Sequence, residues 1–186
     1  MIKLNSNTIF SVILALFFVV IINRIIPISV DPVMELVLSK NRTHITTIDQ
    51  TRSISTVKRI MIDEVNLYDK NRFFHPALGK LGWDNDFWAD ITTPFTVKQD
   101  GLYLFLVGSD DGFSLTINDK PLCSFKGDRG YSKQTCRATL AKGSHLLKLS
   151  YFQGYGNAGL TLEFQGPDKK RPRFWGNDTK LLQLKQ

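Results

Sequence analysis

The chain has 186 residues, 42% of them hydrophobic and 22% charged, which excludes a disordered polymer and suits one packed domain with an accessory segment. Its 13 Phe, 5 Tyr, 3 Trp and 13 Gly favour an all-β domain with many turns. The net charge of +7 suits an anionic partner or simple solubility; no nucleic-acid-binding motif accompanies it, so no nucleic acid partner is expected.

The candidate anchor, residues 1–28, holds an uncharged apolar run, Ile9–Ile22, which Asn23-Arg24 interrupts and Ile25–Val30 continues weakly. Ile9–Ile28 is about 20 residues, the length that crosses a bilayer as a helix, and Arg24 can snorkel at one end. A cleaved signal peptide fits less well, because Asn23-Arg24-Ile25-Ile26-Pro27 lacks the small-residue pair that cleavage needs. A buried soluble helix is a further alternative. The expectation is an uncleaved signal-anchor, a single-pass membrane segment. Cys123 and Cys136 are the only cysteines. An isolated even pair in an exported domain reads as a disulfide, with two free buried thiols as the alternative. The C-terminal bulk is therefore placed outside the cytoplasm, periplasmic or extracellular.

Residues 29–56 are expected to be a linker. Within them Asp31-Pro32 is a helix start signal that Val33–Leu38 could extend. Asn41–Thr56, rich in Thr, Ser and charge, reads as linker or a first edge strand. Val57–Tyr68 begins the domain, with a strand around Arg59–Asp63. Asn71–Asp90 carries Phe73, Phe74, Trp83, Phe87 and Trp88 without period; these rings pack onto a sheet or form a sugar platform. Ile91–Val97 is a short strand in which Pro94 suits an edge or a bulge.

Gly101–Asn118 carries the strongest pattern. Tyr103, Phe105 and Val107 alternate with Leu102, Leu104 and Leu106, so a strand covered on both faces is expected. Ser109-Asp110-Asp111-Gly112 breaks the run as an acidic turn. Phe113, Leu115 and Ile117 then alternate with polar residues, as in a half-buried strand. Asn118-Asp119-Lys120-Pro121 is a hairpin turn, and Leu122–Phe125 returns. Thr135–Leu140, Ser144–Phe152 and Leu160–Phe164 are further strands, with the glycine-rich loop Gln153–Gly159 between the last two. Residues 167–186 form a basic tail. Lys169, Lys170, Arg171 and Arg173 in it suit an anionic polymer, lipid headgroups or a protein partner, or are merely solvated. About nine short strands with turns at short intervals argue for an antiparallel β-sandwich.

Three groups of residues together resemble the protective-antigen-type (PA-14) domain family over residues 57–166. They are Gly101–Phe105 with Ser109-Asp110-Asp111-Gly112 and Leu115-Thr116-Ile117, then Leu140–His145, then Tyr151–Gly154 with Ala158–Leu162. The resemblance implies a sandwich or barrel-like fold used as a binding module. In lectin-like members two consecutive aspartates joined by a cis peptide hold a calcium ion that also takes sugar hydroxyls. Carried over, these are Asp110 and Asp111, and the later loop offers Asn157.

Calcium takes six to eight oxygens, which two carboxylates, an amide and loop carbonyls could largely supply. The plain alternative is a tight turn, with Asp capping its own backbone and Gly permitting positive φ. Catalysis is not expected. Adjacent carboxylates in one turn cannot flank a glycosidic bond, and His44, His75 and His145 are scattered. The functional expectation is a membrane-anchored, extracytoplasmic carbohydrate-binding module, with envelope glycan as partner and calcium as cofactor. The alternative is a non-catalytic accessory subunit that contacts proteins of an envelope complex.

Overall fold

Segments whose apolar residues recur at every second position pair here into antiparallel sheets, because that period places them all on one face. The computed structural model describes residues 6–25 and 31–184. A helix, α1 (Ser6–Ile25), comes first. The strands follow in chain order: β1 (Met34–Asn41), β2 (Ile54–Ile62), β3 (Asn66–Leu67), β4 (Phe74–His75), β5 (Gly79–Lys80), β6 (Phe87–Val97) and β7 (Gly101–Asp110). Then come β8 (Phe113–Ile117), β9 (Lys120–Phe125), β10 (Ser132–Leu140), β11 (Gly143–Gln153), β12 (Gly159–Gln165), β13 (Arg173–Phe174) and β14 (Leu182–Leu184).

One sheet has the order β2-β1-β6-β11-β8-β9, with β14 also on β6. The second has the order β10-β7-β12-β13, with β3 also on β12. The sandwich core between them holds Phe95, Phe105 and Phe164 around the fully buried Trp175, with ring centroids 5.0–6.0 Å from the indole. Phe73, Phe87 and Tyr151 form a second ring cluster in the same core. Cys123 on the edge strand β9 and Cys136 on the edge strand β10 form a disulfide that ties one sheet to the other.

Four expectations change. Val33–Leu38 is not a helical extension: Met34, Leu36 and Leu38 alternate into the core, and β1 is the second strand of the larger sheet. Nor are residues 29–56 a linker throughout. The segment between β1 and β2 folds over the outer face of the sheet, where Ile45 packs with Trp88 and Phe152. Arg52 lies 4.3 Å over the Trp88 ring and donates to both oxygens of Asp90. β7 is not fully covered on both faces, for Leu102 is 49% exposed and Leu104 and Leu106 are half-buried. The tail after residue 166 is not simply exposed, since it supplies Trp175 and β14 to the fold. Pro94 sits where β6 is open on one side, between Ile91, the last position registered with β1, and Phe95, the first with β14.

Ile9, Phe10, Leu16 and Val20 of α1 stand exposed and belong to neither core cluster. Among the described residues no helix is long and apolar enough to cross a membrane. The anchor expected over residues 1–28 is thus unsupported by the fold, and parts of it lie outside the described residues.

Candidate functional site

The acidic turn carries the chain from β7 in the smaller sheet to β8 in the larger one. Asp111 has φ 70°, a left-handed conformation that Asp tolerates better than most residues. Gly112 follows because a Cβ there would lie 2.5 Å from the Phe152 ring and 2.7 Å from the Phe125 carbonyl. The Ser109 hydroxyl donates to the Asp111 carbonyl at 2.8 Å and fixes the bend.

Both carboxylates are buried, Asp110 at 4% exposure and Asp111 at 3%. Each is held by a backbone N–H from a different loop. Tyr131 donates to Asp110 Oδ2 at 3.0 Å, and Gly154 donates to Asp111 Oδ2 at 2.7 Å. The Asp111 N–H in turn donates to the Arg129 carbonyl at 2.9 Å. Three segments therefore converge: the acidic turn, the loop carrying Arg129 and Tyr131, and the glycine-rich loop after β11.

Neither carboxylate has an ion-pair partner among the described residues. The nearby cation, Arg129, donates instead to the Ser109 hydroxyl at 2.9 Å and lies 4.2 Å over the Phe125 ring. Burial raises the Asp110 pKa, against the opposing Tyr131 N–H and Arg129 charge. Burial, then the charges of Asp110 and Asp128, push Asp111 up to about 6, against hydrogen bonds from Gly154 and Arg129. Two adjacent carboxylates without a direct ion pair, offset only in part by the Arg129 charge, make a desolvated turn whose charge a divalent cation would balance.

The glycine-rich loop is anchored at both ends to this turn. Gly154 bonds Asp111, and Gly159 is registered opposite Asp110. Within the loop the Asn157 carbonyl accepts from the Gln153 amide at 2.7 Å, while Tyr155 projects with 78% exposure. Alongside, Tyr68 and Tyr131 stack at 3.7 Å, and the Tyr131 hydroxyl shares a 2.7 Å hydrogen bond with Thr161.

A family model described as the PA14 domain matches residues 40–173. The chain belongs to the PA14 domain family. Among solved structures it is similar to the PA14 sugar-binding domain of an RTX adhesin, at TM-score 0.62 and 14% identity, covering 77% of this chain and 94% of that one. It is also similar to the PA14 domain of the MpAFP antifreeze protein, at TM-score 0.57 and 11% identity, with 76% and 85% covered. A third is the epithelial adhesin 9 A domain of Candida glabrata in complex with Galb1-3GlcNAc, at TM-score 0.56 and 13% identity, with 82% and 89% covered. Identities this low establish the fold alone. No curated protein matches significantly.

This PA14 domain departs from the resemblance at one point: no peptide bond among the described residues is cis, so Asp110–Asp111 is trans. The structure brings Asp110 and Asp111 together and places Asn157, exposed, on the loop facing them. Among the described residues no three His, Cys, Asp or Glu side chains form a group that could hold a metal. The residues left out of the sequence reading are Arg129, Tyr131 and Tyr155. Only Tyr155 had a local signal, an aromatic ring between Gly154 and Gly156.

The histidines are accounted for structurally. His44 bonds Asp86, His75 accepts two backbone N–H groups in its own turn, and His145 stacks on Phe95. Asn41-Arg42-Thr43 and Asn177-Asp178-Thr179 match the short Asn-x-Thr glycosylation pattern, and both asparagines are engaged. Asn41 is buried and accepts from Ser53, and the Asn177 amide donates to Glu64.

Proposed function

We propose that this PA14 domain binds carbohydrate, non-catalytically, at the Asp110-Asp111 turn and the Gln153–Gly159 loop. The observation that carries the reading is the pair of buried carboxylates with no ion-pair partner among the described residues, faced by a loop that presents Tyr155. An exposed ring beside polar acceptors suits a pyranose, whose apolar face stacks while its hydroxyls bond. Two structural neighbours support it: one is described as sugar-binding and another was solved with a disaccharide.

Calcium fits the donor set, because the site offers oxygens and unbalanced negative charge. Asp110 and Asp111, with Asn157, would hold it. Bound there, the ion would supply coordination positions for vicinal sugar hydroxyls. Asp110 and Asp111 keep their backbone hydrogen bonds through Oδ2, so the turn is positioned by Tyr131 and Gly154. The disulfide supports a domain outside the cytoplasm; the membrane anchor stays part of the proposal, resting on the apolar run Ile9–Ile22 of the sequence.

The test is calcium titration by calorimetry and a glycan array run with and without chelator. Asp110→Ala and Asp111→Ala should each abolish calcium binding and array signal. Tyr155→Ala should weaken sugar binding by roughly 0.5–1.5 kcal/mol while leaving calcium binding intact. Unchanged readouts in both aspartate variants would sink the lectin reading. The second reading, a protein-contacting accessory subunit, is favoured by Val57 and Met61, which stand about half exposed on the edge strand β2. Partner capture indifferent to Asp110→Ala would then be the result.

A further inference from the structure

Two clefts lie at the end of the sandwich opposite the acidic turn. The larger, about 470 Å³, is lined by Lys170, Arg171, Arg173 and Lys180, with Phe164 and Leu181 between them. Two acids share it, and both are engaged. Asp168 pairs with Lys170 at 3.4 Å, and Asp178 accepts the Leu184 N–H at 2.8 Å. Arg171, Arg173 and Lys180 have no carboxylate partner among the described residues. The smaller cleft, about 230 Å³, adjoins the first at Gly166 and is lined by the apolar Leu102, Leu104 and Pro167.

Both clefts face the end at which the chain enters the domain. β14, which carries Leu182 opposite Val97 and Leu184 opposite Phe95, follows directly on Leu181 of the basic cleft. The first strand begins beside it, where the Thr93 hydroxyl meets the Met34 sulfur at 3.9 Å. The interval from Ile25 of α1 to Asp31 reaches at most about 20 Å. Asp110 lies at the other end of β12, since Gly159 is opposite Asp110 and Phe164 opposite Arg173, about 17 Å along the strand.

A cation-rich cleft joined to an apolar one matches an amphiphile with an anionic head. The planar guanidinium fork suits paired phosphate oxygens. We propose that the two clefts form one site for an anionic phospholipid, its phosphate on Arg171, Arg173 and Lys180 and its glycerol and acyl end against Leu102, Leu104 and Pro167. Occupied, the site seats this end of the domain on the bilayer and leaves the Asp110-Asp111 turn facing away. The bilayer as source rests on the anchoring reading; the phosphate chemistry does not.

The experiment uses the full chain in a neutral maltoside detergent. The arginine Nε–H resonances are followed by NMR during titration with inorganic phosphate, dihexanoyl phosphatidylglycerol or dihexanoyl phosphatidylcholine. The expected result is saturable shifts of Arg171 and Arg173 with the first two, tighter for phosphatidylglycerol, and none with phosphatidylcholine. Arg171→Gln, Arg173→Gln and Lys180→Gln should each weaken binding roughly fivefold. Leu102→Ser should weaken the lipid and spare inorganic phosphate.

In nanodiscs, adding about 30% phosphatidylglycerol to phosphatidylcholine should slow amide exchange over residues 168–183. Phosphate shifts with no preference for phosphatidylglycerol and no slowing would overturn the lipid source and leave a soluble-phosphate site. No saturable shift with either anion would overturn the proposal and return these residues to a solvated surface. A chain that binds phosphatidylglycerol but fails to enter nanodiscs would defeat the anchoring reading alone.

Discussion

Asp111 carries a burden that depends on pH. Its pKa is raised by burial from 3.8 to about 6, so the folded state holds an extra proton between those values. For an acid shifted upward, stability is greatest below the unfolded pKa and falls as pH rises towards the folded one. The ionised form then costs about 1–2 kcal/mol, once solvent screening near the surface is allowed for. Asp111→Asn keeps an acceptor for the Gly154 N–H and removes the charge. In chelator it should raise stability by about that amount near pH 7.5 and leave it unchanged near pH 4, as urea melts at both pH values would show. With calcium at the proposed site the order should reverse, because the ion would need the carboxylate. Calcium affinity of the native chain should fall, by up to about tenfold per pH unit, below pH about 6.

At the scale of elements, the site is a meeting of loops whose spacing in the chain hides it. The acidic turn and its flanking alternation were legible, because Phe113, Leu115 and Ile117 show period two locally. The bonds that hold the turn were not. Asp111 meets Gly154 across 43 positions, and no local pattern announces such a contact. β1 was misread for a related reason: Asp31-Pro32 is a valid helix start, and only pairing with β6 and β2 turns Met34, Leu36 and Leu38 into a strand. Leu102 was read as covered because a sequence shows which residues alternate but not whether a second layer lies over them.

Glycine at the head of β12 has a role visible only in three dimensions. A Cβ on Gly159 would lie 2.2 Å from the Tyr68 ring, which stacks on Tyr131, and Tyr131 holds Asp110. Gly159→Ala should cost about 1–3 kcal/mol and displace that stack. Urea denaturation and near-UV circular dichroism of the tyrosines would read both effects. An unchanged tyrosine signal would show that the stack tolerates the methyl group.

The molecule as a whole is a two-sheet sandwich clasped along one side by Cys123–Cys136. The cysteines are 13 positions apart and sit on the edge strands of different sheets. Closing a loop of that size contributes about 3 kcal/mol in the chain-entropy account. Reduction should therefore lower the Tm by roughly 6–12 °C, measured calorimetrically with and without reductant. A smaller drop would mean that the core around Trp175 holds the sheets together unaided. The sandwich class followed from strand count and turn spacing. The pairing of the edges did not, because it depends on which strands end up outermost.

β1 and β14 both run antiparallel to β6, and both lie along the same side of it. Extending the β1 register, Met34 falls opposite Thr93, while Leu184 is opposite Phe95. The first and last strands are thus two halves of one interrupted strand, with the break opposite Pro94. A single bridging residue could rejoin them, so a circular permutant opened at the exposed Tyr155 loop and sealed between Leu184 and Met34 should fold to the same sandwich. For the same reason this domain can be inserted whole into a host loop, since it asks its host only for two attachment points side by side.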